Sequence, residues 1–157
     1  MNEPERIRAA LEAGRTVAVV GCSPNPSRPS NEIARYLQRQ GYRVVPVNPG
    51  HREILGEPCF PSLSEVPADI RIDIVDVFRR SEHLAGVGEA AIARGVPFLF
   101  AQLGVQDEAC ARRLEAAGVG VAMNRCILIE HRGLGIAPKS RNAGGPHGVA
   151  SMSRDGA

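Results

Sequence analysis

The fold class is decided by one stretch of the chain, Thr16-Val17-Ala18-Val19-Val20-Gly21-Cys22-Ser23-Pro24-Asn25-Pro26-Ser27-Arg28-Pro29-Ser30. Its first five residues form an unbroken, mostly β-branched apolar run, which predicts a strand buried on both faces, as in a parallel sheet. The next ten residues contain three prolines and predict a loop over 21–30. In α/β proteins such a loop lies at the edge of the sheet where ligands bind.

Strand and helix patterns alternate along the rest of the chain. Further strands are predicted at 43–47, 72–78, 96–100 and 119–123. Helices are predicted at 4–13, 31–40, 81–94 and 108–117, with one capped turn at 62–65 and a closing apolar segment at 126–129. Residues 48–57 are expected to be irregular, and Pro46 favours an edge position or a missing ladder bond. The pattern predicts an α/β, Rossmann-like, doubly wound fold with a mainly parallel sheet of about five to six strands and helices on both faces.

The length of the chain, 157 residues with 43% apolar side chains, suits one domain with a sizeable core. We expect a single domain over residues 1–137. Residues 138–157 are rich in Gly, Ser and Arg and lack periodicity, so we expect a disordered tail there.

Charge and cysteine usage exclude several classes of function. Nineteen basic and seventeen acidic residues leave a net charge of +2, which is too small for a nucleic-acid-binding surface. No apolar run is long enough for a membrane span, and no signal peptide is visible. The four cysteines lack metal-ligand spacing, so we expect free thiols in the cytoplasm and no metal site. Lys139 is the sole lysine, so arginines supply nearly every cation available to a phosphate.

The residues after each predicted strand are the candidate ligand-binding positions. The first loop offers Gly21, Ser23, Asn25 and Arg28 before a helix N-terminus, which is favourable for phosphate. It lacks a Gly-x-Gly-x-x-Gly fingerprint, and a plain tight turn remains the alternative. Ten residues nevertheless exceed what a turn between a strand and a helix requires.

The second strand is followed by Asn48-Pro49-Gly50-His51-Arg52, with no acid at its end. An NAD site places an acidic residue there, so this ending disfavours NAD and admits NADP or coenzyme A. Phe78-Arg79-Arg80 follows the third strand, where a solvated charged pair is the alternative. Polar groups also follow the last two strands, at 102–104 and 124–126.

Several of these strings together resemble the small bacterial CoA-binding domain proteins. The resemblance rests on residues 16–30, 41–49, 54–56, 76–80, 102–105 and 124–126. It extends over residues 15–136 and is most specific in Gly-Tyr-x-Val-x-Pro-Val-Asn-Pro and Val-Phe-Arg-Arg. These proteins are similar to the CoA-binding domain of the succinyl-CoA synthetase α subunit and of NDP-forming acyl-CoA synthetases.

The resemblance implies coenzyme A held along the strand ends. Gly21, Ser23, Pro24, Asn25 and Arg28 would surround phosphates. Asn48 and Pro49 would flank the adenosine end, and Phe78, Arg79 and Arg80 would line the next segment.

We expect no catalytic residues, because the sequence shows no catalytic constellation and its four histidines are scattered. The synthetase also needs a second domain with a phosphorylated histidine, which we do not expect in this chain. Cys22 is expected to be either a small buried residue or a thiol with a pKa lowered by the helix N-terminus.

We therefore expect a stand-alone CoA-binding or acyl-CoA-binding protein without catalysis of its own. Its partner is a small molecule rather than a nucleic acid or a membrane, and a homodimer or another protein partner stays open. Two alternatives remain: an NADP-dependent single-domain reductase, or a ligand-free interaction module that acts through a dimer face.

Overall fold

The computed structural model describes residues 1–140. The helices are α1 (Glu3–Ala13), α2 (Pro29–Arg39), α3 (Leu84–Ala93), α4 (Glu108–Ala116) and α5 (Ile127–Gly133). The strands are β1 (Thr16–Val20), β2 (Arg43–Val47), β3 (Glu53–Ile54), β4 (Glu57–Pro58), β5 (Ile74–Val77), β6 (Phe98–Ala101) and β7 (Gly120–Ala122). Two 3-10 turns lie at Leu63–Glu65 and Ser81–His83.

Five strands form one parallel sheet in the order β2-β1-β5-β6-β7. The strand order reverses beside β1, because β2 lies on one side of it and β5 on the other. The adjacent carboxyl ends of β1 and β5 are therefore the switch point at which α/β folds bind ligands. Pro46 is in β2, and β2 is an edge strand of this sheet, as its sequence predicted.

Helices cover both faces of the sheet, which confirms the predicted doubly wound α/β class. On one face, α1, α2 and α5 bury Leu11, Leu37 and Ile127 against β1 and β5. On the other face, α3 and α4 bury Leu84 and Leu114 against β5 and β6. Because the sheet is buried on both sides, its strands are continuous apolar runs rather than alternating ones.

Helix α2 begins at Pro29, so the prediction of a loop through Ser30 was wrong by two residues. Proline suits the first position of a helix because the amide it lacks would have no partner there. In the sequence, this proline is indistinguishable from Pro24 and Pro26, which do lie in the loop.

The connection between β2 and β5 contains a small antiparallel hairpin, β3–β4, where irregular structure was expected. Leu55 and Gly56 form its two-residue turn, with φ of 56° and 76°. Two consecutive positive φ values are characteristic of a type I′ turn, which normally carries Asn-Gly or Asp-Gly. Because leucine stands at the first position, the sequence lacks the Asn-Gly or Asp-Gly signal that would predict this turn.

The end of the described chain is attached to the domain through Lys139. Its backbone N–H donates to the Gln40 carbonyl at 2.8 Å and its Nζ to the Glu12 carbonyl at 2.7 Å. The ammonium group also lies 5.0 Å from the centre of the Tyr42 ring. The domain boundary at residue 137 stays a prediction, and residues 141–157 of the predicted tail lie outside the described residues.

Candidate functional site at the strand ends

The residues that follow β1, β2 and β5 are joined by hydrogen bonds into one continuous edge. The Gly21 N–H donates to the Val47 carbonyl, and the Phe78 N–H donates to the Val20 carbonyl, both at 2.8 Å. The side-chain amide of Asn48 donates to the Cys22 carbonyl at 2.7 Å. Gly21, Asn48 and Phe78, three positions predicted from the sequence, therefore lie at one edge.

Gly21 is required where the first and third strand-end loops meet. Its φ is +87°, and a Cβ placed there would lie 3.2 Å from the backbone carbonyl group of Phe78 and from Cδ of Arg79. A side chain would therefore strain the backbone and push the two loops apart. The close approach positions Arg79 directly beside the first loop.

The first loop is shaped by its own polar side chains. Ser23 Oγ accepts from the Asn25 N–H at 3.0 Å, and Asn25 Oδ1 accepts from the Ser27 N–H at 3.0 Å and the Ser27 hydroxyl at 2.9 Å. Ser30 Oγ accepts from the Ser23 N–H at 2.9 Å. These contacts fix the path of the loop without help from a ligand.

The same contacts leave hydrogen-bond donors available in the loop. The oxygens of Ser23 and Asn25 are used as acceptors, whereas the Ser23 hydroxyl hydrogen and the Asn25 amide nitrogen donate to no residue within 1–140. A phosphate group accepts hydrogen bonds and offers no donor when ionised. The loop therefore offers the hydrogen-bond donors that a phosphate requires.

Two predicted arginines at this edge have unpaired side chains. Neither Arg28, exposed at the N-cap of α2, nor Arg79, half-buried after β5, makes a side-chain hydrogen bond or ion pair with any described residue. Arg80 differs, because its Nε lies 3.4 Å from Glu82 Oε1 and its side chain is 84% exposed. The guanidinium groups of Arg28 and Arg79 are therefore available to an anionic ligand.

Arg125, at the end of β7, is occupied by the protein itself. Its guanidinium lies 2.6 Å from the Glu3 carboxylate and 3.8 Å from that of Glu130. These ion pairs connect the start of α1 to α5. Arg125 therefore has a structural partner on each side, unlike Arg79.

A cleft of about 250 Å³ opens at the ends of β1 and β2, between the segment 61–64 and the start of α3. Pro49 and Arg79, both predicted site residues, line it together with His83, Ser62 and Ser64. The floor is apolar, formed by Val20 and Val47 from the strands and by Gly86, Val87 and Ala90 from α3.

Three residues that line the cleft were not predicted as site residues from the sequence: His83, Ser62 and Ser64. They follow no strand of the main sheet directly, so a search of strand ends passes over them. Besides the β3–β4 hairpin, the connection from β2 to β5 contains a short 3-10 turn where doubly wound folds usually place a helix. The cleft that these side chains share with Arg79 is visible only in the three-dimensional structure.

The aromatic ring of Phe78 packs away from the cleft. It contacts the hydrophobic cluster on the α1, α2 and α5 face, whereas the cleft lies on the α3 face. Leu103, in the turn after β6, is 62% exposed at the same edge of the sheet. Leu103 therefore provides the exposed apolar surface on the β6 side of the site.

Cys22 is fully buried beneath the first loop. Burial, with smaller contributions from Cys59 and Asp76, raises the pKa of its thiol to about 12. The expectation of a lowered pKa at the helix N-terminus is therefore wrong, and the alternative of a small buried residue describes Cys22. A buried thiol of this kind is inert at neutral pH.

Residues 1–140 contain neither a cluster of metal ligands nor a membrane-spanning helix. The described residues contain no group of three His, Cys, Asp or Glu side chains placed to hold a metal ion. In that same part of the chain, no helix is both long enough and apolar enough to cross a membrane.

Comparison with known proteins shows the family to which the chain belongs. Residues 15–132 match the family described as the CoA binding domain. A Bacillus subtilis (strain 168) protein named uncharacterized protein YneT is 39% identical over 133 residues, covering 83% of this chain and 97% of that protein. The structure of a hypothetical protein from Pyrococcus horikoshii OT3 matches with a TM-score of 0.79 at 34% identity, over 83% of this chain and 91% of that one.

A larger protein shares part of this sequence. Acetate–CoA ligase (ADP-forming) I of Archaeoglobus fulgidus is 40% identical over 63 residues, which make up 40% of this chain but only 9% of the ligase. The family match spans all five strands of the parallel sheet and every strand-end loop described above. The chain therefore belongs to the CoA binding domain family.

Proposed function

We propose that this protein binds coenzyme A, or an acyl-CoA, across the carboxyl ends of β1, β2 and β5, and that it catalyses no reaction of its own. The observation that carries the proposal is the set of unpaired donors at the switch point. The Ser23 hydroxyl, the Asn25 amide and the guanidinium groups of Arg28 and Arg79 have no protein acceptor among the described residues.

The chemistry of coenzyme A matches these groups. A diphosphate joins its adenosine to its pantetheine arm, and a third phosphate is attached to the ribose. Loop 21–28 offers donors and a cation before the N-terminus of α2, a combination that favours phosphate oxygens. We assign the diphosphate to this loop, with Gly21 and Pro24 supplying close backbone approach.

The remaining predicted residues take supporting places in the proposal. Asn48 fixes the loop by its hydrogen bond to the Cys22 carbonyl, and Pro49 forms one wall of the cleft. Arg79 faces the ligand directly. We place Arg80 at the rim, where its pairing with Glu82 weakens its contribution, and Phe78 contributes its backbone rather than its ring.

Family membership and the names of the relatives support coenzyme A as the ligand. We also propose a cytoplasmic protein, because its four cysteines are free and buried, as suits a reducing compartment. We assign no nucleophile or general base among the described residues of the site, so the proposal is limited to binding.

The proposal is tested by thermal unfolding with increasing coenzyme A, acetyl-CoA, NADP and ATP. A ligand that binds only the folded protein raises the midpoint as its concentration rises. We expect coenzyme A, acetyl-CoA or both to raise it more than NADP or ATP does. A rise with NADP and none with coenzyme A would reject the proposal in favour of a reductase, and no rise with any ligand would favour an interaction module.

A further inference from the structure

A carboxyl group is buried directly beneath the strand ends that form the candidate site. Asp76 lies in β5, two residues before Phe78, and it pairs in register with Val19 of β1, two residues before Gly21. At about 3.3 Å per residue, its Cα lies roughly 7 Å below the place where the first and third strand-end loops meet. A charge on Asp76 would therefore act on a ligand at that place from inside the protein.

The surroundings of Asp76 do not stabilise an anion. The side chain is fully buried, Oδ1 accepts from the Gln102 amide, and Oδ2 has no partner among residues 1–140. No arginine or lysine in that part of the chain forms an ion pair with it. A buried carboxylate without a cation is costly, so the neutral acid is favoured. Burial raises the pKa of Asp76 to about 8, so its charge appears only in mildly alkaline solution.

The ionisable groups on the same face of the sheet come from the elements packed there. Asp76 alternates with Ile74 and Phe78 in β5 and so points to the face covered by α1, α2 and α5. After burial and Cys59, the Asp76 charge contributes to the raised pKa of the Cys22 thiol. Because Cys22 is the second residue of the first loop, the field of Asp76 reaches that loop. The buried ionisable side chains of this face are three thiols, two phenols and one imidazole: Cys22, Cys59, Cys126, Tyr36, Tyr42 and His131.

We propose, on the basis of the proposed function, that the proton on Asp76 controls ligand affinity: the site binds its anionic ligand while Asp76 is neutral and binds it weakly once Asp76 is ionised. Arg28 and Arg79 attract phosphates at the surface, and a charge on Asp76 would oppose them from beneath. At a separation of about 10 Å and an effective dielectric constant of about 20, the repulsion of one phosphate charge changes a binding constant about tenfold.

The coupling between the proton and the ligand is reciprocal. If ionisation of Asp76 weakens binding about tenfold, the bound ligand makes Asp76 about tenfold harder to ionise. The protein therefore takes up protons as the ligand binds, about half a proton per ligand near pH 8.5. Since Asp76 is already neutral at about pH 7, affinity should fall about fivefold between about pH 7 and 9.

Isothermal titration calorimetry with coenzyme A at about pH 7 and about pH 9 tests this proposal, and we expect the wild-type protein to lose affinity about fivefold between them. Asp76→Asn stays neutral throughout, so it should match the wild-type protein at the lower pH and bind about fivefold more tightly than it at the higher pH. Asp73→Asn removes a carboxyl that binds the Arg15 and Thr16 backbone at the opposite edge of the sheet, and it should keep the wild-type fall.

Proton uptake provides a second readout that needs no variant. In two buffers of different ionisation enthalpy near pH 8.5, the wild-type binding heats should differ by the uptake of about half a proton, and those of Asp76→Asn should agree. Should Asp76→Asn fail to fold, the wild-type heats still decide the question.

Two results would overturn the inference and leave the proposed function standing. One is the same pH profile of affinity in the wild-type protein and in Asp76→Asn, and the other is a wild-type binding heat that does not depend on the buffer. Absence of coenzyme A binding at about pH 7, where Asp76 is neutral, would instead reject the proposed function and this inference with it.

Discussion

The side-chain amide of Gln102 donates a hydrogen bond to Oδ1 of Asp76, one layer of the sheet beneath the strand ends that form the site. Asp76 is fully buried, and its Oδ2 has no partner among the described residues. Burial raises the pKa of this carboxyl to about 8, although the Gln102 hydrogen bond opposes the rise. Near neutral pH the folded protein therefore keeps Asp76 largely protonated.

This proton makes stability depend on pH. Above about pH 4 the unfolded chain has lost the Asp76 proton while the folded protein retains it, so the free energy of unfolding falls as the pH rises. The fall ends near the folded pKa of about 8. Asp76→Asn copies the neutral form, so we expect a flatter profile between about pH 5 and 8, measured by urea unfolding.

Asp73, which directly precedes β5, provides a matched control in the same segment of the chain. Burial alone would raise the pKa of this carboxyl, but hydrogen bonds from the Arg15 and Thr16 backbone and from Arg71 lower it overall. Its contribution to stability is therefore lost only in acid. Asp73→Asn should keep the wild-type slope above pH 5 or so, and an identical slope in Asp76→Asn would show that Asp76 is ionised in the folded protein.

The opposite pH dependence is expected from His131, which is buried in α5. The Tyr36 hydroxyl lies 2.7 Å from its Nδ1, and Nε2 has no partner within the described chain. Burial, aided by Lys139, lowers the pKa of this imidazole. Stability should therefore fall as the pH drops below about 6.5, because only the unfolded state takes up the proton readily.

His131→Gln tests this expectation, because glutamine does not titrate. The free energy of unfolding of the wild-type protein should fall more steeply than that of the variant between about pH 6.5 and 5. Equal slopes would mean that the imidazole accepts its proton in the folded state as easily as in the unfolded one.

The cysteines should be unreactive in the folded protein. All four are free and buried, and burial raises the thiol pKa of Cys22, Cys59 and Cys110. The disulfide reagent dithiobis(nitrobenzoic acid) should therefore label essentially no thiol of the folded protein in buffer, and all four thiols of the unfolded protein in denaturant. Rapid labelling of a peptide containing Cys22 in the native protein would contradict its placement beneath the first loop.

The two neighbouring arginines after β5 should differ in their effect on coenzyme A binding. Arg79→Gln removes an unpaired cation beside Gly21 and should cost about 1.5–3 kcal/mol of binding free energy. Arg80→Gln removes a cation already paired with Glu82 and should cost less than about 1 kcal/mol. Isothermal titration calorimetry at two salt concentrations measures the loss of binding free energy in each variant. Equal losses would contradict this difference and mean that both arginines contact the ligand.

The strands of the parallel sheet were predictable because burial on both faces gives continuous apolar runs. The bounds of β1 and β2 agree with the runs at 16–20 and 43–47. The predicted runs at 72–78 and 96–100 give shorter strands, Ile74–Val77 and Phe98–Ala101. Their flanking apolar residues, Ile72 and Val96, are buried beside the sheet without pairing in it.

The site was predictable only as far as strand ends could be located. The strand-end rule selects Gly21, Asn48 and Arg79, which the fold joins at one edge. It does not distinguish Arg79 from Arg80, because pairing with Glu82 depends on side-chain direction. It also passes over His83, which lies in the 3-10 turn before α3 and lines the cleft.

Binding of coenzyme A at the strand ends is tested most directly by titrating the ¹⁵N-labelled protein with coenzyme A and following its amide chemical shifts. We expect the largest changes in residues 21–28, at Asn48 and at residues 78–80, while Arg15, Arg43 and Asp73 at the opposite edge stay unchanged. Changes confined to that opposite edge, or none at millimolar coenzyme A, would contradict the claim that the strand ends bind this ligand.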